Sequence, residues 1–403
     1  MQTVIKKISQ QTLWQISGKA VSVVSTIIIL GLITRKYGEE GTGIFTLALT
    51  YISMFMLLSD FGFNAHVLKS LQSSVFSLQK QMFRKLLGTR IVWAMVLIGI
   101  SISILPFLPI GGDQFRQMII LGSPIIFGSA VFVSTNLLFQ FKLRYDLSVV
   151  ATSAGVLTNL FLVVFFVNAN FSLLYLILAQ VLNWMLVCLL ALIFSRKITQ
   201  TIVPIFDVGF SKKLIKSNWP IAATLGLNVI YFRADSFMVA YFKGISDAGV
   251  YNIAYSVFQS ALVLPTFIMN AYYPLMLKSQ KGIKLVALGL GLIAVIGTIL
   301  TLISAPFVIN LLTGRGFDGS VLSLQILSLG FPAYFLSALL MWVLVARGSY
   351  KNLLVIYTTG LIINLILNFI FIPQYSFYAA SYITVISEYL ILLLQILILY
   401  IRR

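Results

Sequence analysis

Residues 171–197 read FSLLYLILAQVLNWMLVCLLALIFSRK. No side chain from Phe171 to Ser195 is charged, and the run closes on Arg196-Lys197. A helix crosses the hydrocarbon of a bilayer, about 30 Å thick, with about 20 such residues. Backbone N–H and C=O groups must bond internally there, because no water reaches them. The stretch therefore predicts a membrane span emerging on a basic side. Working outward, the same pattern predicts spans near 12–34, 44–66, 86–108, 118–140, 147–167, 171–194, 219–241, 250–274, 285–312, 320–346, 353–372 and 377–401. Twelve helices with short loops predict an all-α integral membrane protein and leave no room for a soluble domain.

Composition agrees. Of 403 residues, 60% are hydrophobic and 9% charged, a balance found in polytopic membrane proteins and not in soluble domains. A single cysteine, Cys188, and a single histidine, His66, exclude a disulfide framework and His- or Cys-cluster metal sites, so no metal or catalytic residue is assigned. The first eleven residues are polar and weakly basic, and no cleavage site follows, so no cleavable signal peptide is expected.

The net charge of +18 would elsewhere point to nucleic acid, but its placement argues against that partner. Twenty of the 28 basic residues fall on one side of the predicted spans, from Lys6 and Lys7 through Arg196, Lys197, Lys212, Lys213 and Lys216 to Arg402 and Arg403. Only Asp146 and Asp207 oppose them there. The positive-inside rule then puts both termini in the cytoplasm.

The two halves match at an offset of about 205 residues. Gly43-Ile44-Phe45-Thr46-Leu47-Ala48 aligns with Gly249-Val250-Tyr251-Asn252-Ile253-Ala254. Gly155 and Asn159 match Gly360 and Asn364, Asn183 matches Glu388, and Lys142 with Tyr145 matches Arg347 with Tyr350. An even number of spans per copy makes the copies parallel, so two pseudo-symmetric six-helix lobes are expected, with a substrate path at their interface. The expected division is 1–200, a cytoplasmic linker 201–218, and 219–403. Lys212-Lys213-Leu214-Ile215-Lys216 in that linker reads either as an interfacial helix on anionic lipid or as plain topology-setting charge. Pro124, Pro265, Pro306 and Pro332 mark candidate kinks.

Several motifs carry a resemblance. Leu32-Ile33-Thr34-Arg35-Lys36-Tyr37-Gly38 leads into Gly43-Ile44-Phe45, and Ser59-Asp60-Phe61-Gly62-Phe63 ends span two. Asp235 precedes Gly249-Val250-Tyr251. Asn364-Leu365-Ile366-Leu367-Asn368 is followed by Ile372-Pro373 and Ser387-Glu388. Together these resemble the bacterial polysaccharide repeat-unit flippases, the O-antigen (Wzx-type) branch of the multidrug/oligosaccharidyl-lipid/polysaccharide (MOP) exporter superfamily. One departure is that Ser376, Phe377 and Tyr378 stand before Ala379-Ala380, where the family usually places glycines. The resemblance implies a MATE-like exporter fold in the bacterial inner membrane and a role in lipopolysaccharide biosynthesis. It further implies an undecaprenyl-diphosphate-linked oligosaccharide as cargo, bilayer lipids around it, and a polysaccharide polymerase and chain-length regulator as candidate partners.

Six charges sit inside spans: Lys19, Asp60, Arg90, Arg233, Asp235 and Glu388. Each costs roughly 2.5–3.5 kcal/mol near the bilayer centre unless paired or facing water. Gln15, Lys19, Ser22 and Thr26 form one helical stripe, as do Thr224, Asn228, Tyr231 and Asp235. Given the implied cargo, Arg233 and Lys19, flanked by Asn228 and Gln15, are the candidate diphosphate contacts, guanidinium geometry suiting phosphate. A structural ion pair of Arg233 with Asp60 or Glu388 is the competing reading. Asp235 and Glu388 either bind a coupling proton or sodium ion or pair with Arg90 or Lys19. Asp60 and Arg90 read as snorkelling residues or as a mutual salt bridge. No cofactor is expected, and coupling to H+, Na+ or the membrane potential stays open. The competing function is a drug or metabolite/ion antiporter of the same superfamily. A membrane glycosyltransferase or polymerase would need larger extramembrane loops.

Overall fold

The apolar runs become helices in the computed structural model, which describes residues 2–64, 67, 76–278, 282–314 and 316–401. The helices are α1 (Gln2–Leu58), α2 (Phe76–Ile104), α3 (Gly112–Gly122), α4 (Pro124–Phe141), α5 (Tyr145–Asn168), α6 (Leu173–Thr199) and α7 (Val208–Lys243). They continue as α8 (Ile245–Ala261), α9 (Val263–Lys278), α10 (Ile283–Thr313), α11 (Asp318–Ser328), α12 (Phe331–Ala346) and α13 (Tyr350–Ile401). Among the described residues the regular structure is helical throughout. His66 and the two C-terminal arginines lie outside the described residues.

Among the described residues eight helices are long and apolar enough to cross a membrane, nine if the pair α11 and α12, bent by 45°, is one span. Two of the eight are each about twice the length a crossing needs: 46 residues from Leu13 to Leu58 and 52 from Tyr350 to Ile401. Each is broken once, at Gly38 (φ 65°, ψ −164°) and at Ser376 (φ 52°, ψ −141°). The one predicted span that remains, 219–241, falls on α7. The prolines act differently from one another. Pro124 and Pro332 open helices, where a missing N–H costs nothing, while Pro306 lies inside α10. The first two mark breaks between helices rather than kinks within one.

The repeat is written into the backbone. Left-handed conformations occur at Gly38 and Gly244, Gly111 and Gly316, Leu143 and Gly348, and Asn170 and Ser376, each pair 205 or 206 positions apart. Ser376 therefore holds its turn in the left-handed region that favours glycine. Its hydroxyl donates to Asp247, and in the other copy Lys36 donates to Asn170. The glycines at matching places repeat a close approach as well. A Cβ on Gly155 would sit 2.5 Å from Val187, and one on Gly360 would sit 2.9 Å from Ile391.

By compactness the chain forms two units, Met1–Lys36 with Ala48–Val229, and Tyr37–Leu47 with Ile230–Arg403. These differ from the expected lobes because residues 37–47 pack with the start of α8. A Cβ on Gly43 would strike the Ile245 carbonyl, and one on Gly249 would strike Gly43. The first unit has apolar cores around Phe63, Leu86, Leu137 and Leu214, and around Phe83, Leu87, Val131 and Leu138. The second has one around Leu344, Leu353, Ile356 and Ile391.

Candidate functional site

In the first unit the charge is gathered where α1 stops. Phe61 (φ 49°) and Gly62 (φ 74°) turn the chain out of the helix, stranding its last carbonyls. Arg90 on α2, 0% exposed, fills that end. Its Nε donates to the Ser59 carbonyl at 3.2 Å, and its Nη2 donates to the Asp60 carbonyl at 3.1 Å and to Asp60 Oδ1 at 2.8 Å. Nη1 donates to Asn64 Oδ1 and to Ser134 Oγ, both at 3.2 Å. Trp93 Nε1 donates to the Leu58 carbonyl at 3.1 Å, and the guanidinium lies 5.5 Å from the Phe63 ring centroid. A cation at a helix C-terminus, fully hydrogen-bonded and paired, is the arrangement in which a buried charge is tolerated.

In the second unit the buried charges are acidic. Asp235 on α7 accepts from Tyr251 Oη, from the Ser236 N–H at 2.8 Å and from Thr384 Oγ1 at 3.4 Å. The network runs on through Ser236 Oγ to Asn252 Oδ1 at 2.7 Å, and Asn252 Nδ2 donates to Thr46 Oγ1 at 3.1 Å. Thr46 and Asn252 are matched positions of the repeat. Glu388 on α13 accepts from Tyr231 Oη at 3.2 Å and also bonds Ser337. Tyr231 and Asp235 are one helical turn apart on α7, and Thr384 and Glu388 one turn apart on α13. The bonds between them make two rungs between the two helices. Close by, Tyr334 Oη is buried with no hydrogen-bond partner among the described residues.

Ion pairs among the described residues join Lys85 with Asp207, Arg90 with Asp60 and Arg144 with Asp146. Asp235 and Glu388 are thus not joined to Arg90 or Lys19; hydroxyl donors take the place of a cation. Arg233 is half-buried and close enough for its charge to act on Asp235 and Tyr255, yet it forms no ion pair among the described residues. Lys19 and Gln15 are exposed, with Thr26, along the stripe read from sequence, while neighbouring Gly18 packs onto Val149 of α5. The Asn228 side chain lies outside the described residues. The hydroxyl partners Thr384 and Ser337 are not among the residues the sequence singles out, and Tyr251 enters there only through the Gly249-Val250-Tyr251 motif. The turn spacing of Thr384 and Glu388 on one span is the signal that points to the first of them. Among the described residues no group of three or more His, Cys, Asp or Glu is placed to hold a metal.

A family model described as "Polysaccharide biosynthesis protein" matches residues 8–280. The chain belongs to that family. No curated protein matches it. Among solved structures it is similar to the lipid II flippase MurJ in an inward closed conformation, with a TM-score of 0.80 and 13% identity, over 96% of this chain and 87% of that one. It is also similar to an inward-facing multidrug resistance MATE transporter, with a TM-score of 0.73 and 12% identity over 94% of each chain. A MOP-superfamily transporter from Pyrococcus furiosus matches with a TM-score of 0.67 and 14% identity, over 98% and 95% of the two chains. At these identities the likeness establishes the fold, which this chain shares with those proteins. The long apolar helices make this family member a multi-pass membrane protein.

Proposed function

We propose that this protein flips an undecaprenyl-diphosphate-linked oligosaccharide repeat unit, of the O-antigen (Wzx) type, from the cytoplasmic to the outer leaflet of the bacterial inner membrane. In this reading lobes 1–200 and 219–403 alternate in access, the 201–218 segment joins them, and both termini are cytoplasmic. A polymerase and a chain-length regulator would receive the product. The observation that carries the reading is Arg233, a cation inside a span of a polysaccharide-biosynthesis family member, with no carboxylate in ion-pair contact among the described residues. A guanidinium outside any ion pair is available to a diphosphate. Lys19, with Gln15 and Asn228, would supply further contacts to the headgroup.

The membrane potential supplies a driving force. A diphosphate leaving a negative interior gains about 2.3 kcal/mol per charge per 100 mV. In a strain whose own flippase is deleted, Arg233→Ala should abolish surface polysaccharide and Arg233→Lys should retain part of it. Normal surface polysaccharide from Arg233→Ala at normal protein level would remove Arg233 from the site.

A second reading has its own observation. Asp235 and Glu388 are buried and form no ion pair among the described residues, with Arg233 acting on Asp235 only from a distance, an arrangement that suits carboxylates which take up a proton or a cation. We infer that they are coupling groups, a role that also suits a drug or metabolite/ion antiporter. Drug resistance conferred by the wild-type chain and lost in Asp235→Asn, with surface polysaccharide untouched, would favour that second reading.

A further inference from the structure

Residues 201–207, between α6 and α7, are strapped along the start of α2. The Ile205 N–H donates to the Arg84 carbonyl at 3.0 Å, and Arg84 Nε donates to the Val203 carbonyl at 2.8 Å. Lys85 Nζ reaches Asp207 Oδ2 at 2.6 Å, and the Thr89 and Ser211 hydroxyls meet at 2.8 Å. The strap lies so close that a Cβ on Gly88 would come within 2.9 Å of the Phe206 backbone nitrogen. Asp207 Oδ1 accepts from the Phe210 N–H at 2.9 Å, which caps α7. The first three turns of α7, ahead of the stretch read as its span, are therefore held in a fixed rotation.

That rotation sorts the residues. Ser211, Leu214 and Asn218 are buried on one face, while Lys212, Lys213, Ile215, Lys216 and Trp219 are exposed on the other. Trp219 is 61% exposed, Val208 53% and Phe206 52%. No carboxylate forms an ion pair with the three lysines among the described residues. Asp207 is the only acidic residue between Asp146 and Asp235, and Lys85 holds it.

We propose that this face of α7, residues 208–219, is a docking surface for anionic phospholipid. The headgroup phosphate lies against Lys212, Lys213 and Lys216, and the upper acyl chain lies along Ile215, Trp219 and Val208. The chemistry selects this occupant because the lysines and the large apolar side chains share one exposed face of one helix. A phospholipid presents its phosphate and its first methylenes at adjacent depths in the same way. Tryptophan beside lysine is also the pairing that settles at a bilayer interface. A loose topology-setting loop would hold its lysines at no fixed spacing from a tryptophan. The inference does not depend on the cargo.

The test uses the full-length protein in detergent, titrated with short-chain phosphatidylglycerol or phosphatidylcholine while the unfolding temperature is read. The surface predicts a rise with phosphatidylglycerol alone, and a response shifted to at least about tenfold higher lipid in Lys212→Gln/Lys213→Gln/Lys216→Gln. Lys284→Gln/Arg347→Gln/Lys351→Gln, with the same loss of charge elsewhere, should respond like wild type. A second measurement keeps Trp219 and replaces Trp14, Trp93, Trp184 and Trp342 by Phe. Headgroup-proximal spin-labelled phosphatidylglycerol should quench it more than the labelled phosphatidylcholine, and inorganic pyrophosphate should not reverse the difference. An equal response from both lysine triples, equal quenching by both lipids, or a response to polyprenyl diphosphate alone overturns the proposal.

Discussion

The two halves of this chain share one backbone plan and fill it with opposite charges. In the first half the buried charge is Arg90, matched to the end of α1 and paired with Asp60. At the repeat offset those two positions become Ile296 and Thr266. In the second half the buried charges are Asp235 and Glu388, held by hydroxyls, and the positions that correspond to them are Ile29 and Asn183. Glycines and left-handed turns repeat faithfully; charges do not. Symmetry thus belongs to the scaffold, and the chemistry lies in what departs from it. A closed, fully bonded cation in one half reads as structure. Two carboxylates in the other accept from hydroxyls and form no ion pair among the described residues.

The largest effect tests the first half. Arg90→Leu strands the Asp60 carboxylate and the Ser59 and Asp60 carbonyls together, so roughly 3–5 kcal/mol of stability should go. Unfolding in detergent and the membrane-inserted yield would both register it. Arg90→Leu combined with Asp60→Leu should cost less than the single change, since no charge is then left unpaired. A double variant as unstable as the sum of its parts would mean that the ion pair is incidental to the helix end.

Much of this contrast is legible in the sequence, and the illegible part has a physical reason. The spans follow from run length because hydrocarbon imposes it, and the parallel repeat shows in Gly43 and Gly249 and in Gly155 and Gly360. The mutual pairing of Asp60 with Arg90 is one of two readings open from sequence, since both fall toward neighbouring ends of consecutive spans. One partner of Asp235 is hidden. Thr384 is 149 residues away, and only the rotation of α13 against α7 brings its hydroxyl onto the carboxylate. Hydropathy carries no information on that rotation. The breaks before Pro124 and Pro332 are equally silent, because proline suits a kink and a helix start alike.

The next two effects probe the scaffold and the second half. Gly155→Ala and Gly360→Ala should each destabilise, by about 1–3 kcal/mol. The first should cost more: its Cβ also meets the Asn183 carbonyl at 3.0 Å, whereas the contacts at Gly360 are with the yielding end of Ile391. Equal costs would say that the two close approaches tolerate a methyl group alike. Asp235→Asn and Glu388→Gln keep the shape and most hydrogen bonds, so stability should move by no more than about 1.5 kcal/mol. Transport in proteoliposomes should nevertheless fall and lose its response to an imposed proton or sodium gradient. A large stability loss with an intact ion response would reassign these carboxylates to the scaffold.

The smallest effect sharpens the contrast between buried and exposed pairing. Lys85 and the Phe210 N–H hold the Asp207 carboxyl below its usual range. A depressed carboxylate contributes stability above its unfolded value, about 3.9, and that contribution is lost as the pH falls through the still lower folded value. The difference in unfolding temperature between wild type and Asp207→Asn should therefore stay constant from about pH 8 to 5 and shrink below about pH 4. This pair is solvated, so about 1 M salt, which shortens screening to roughly 3 Å, should also erase most of the difference. Arg90, fully enclosed, should keep its contribution in the same salt. If both pairs fade together, water reaches the end of α1, and the first half loses its claim to a closed charge.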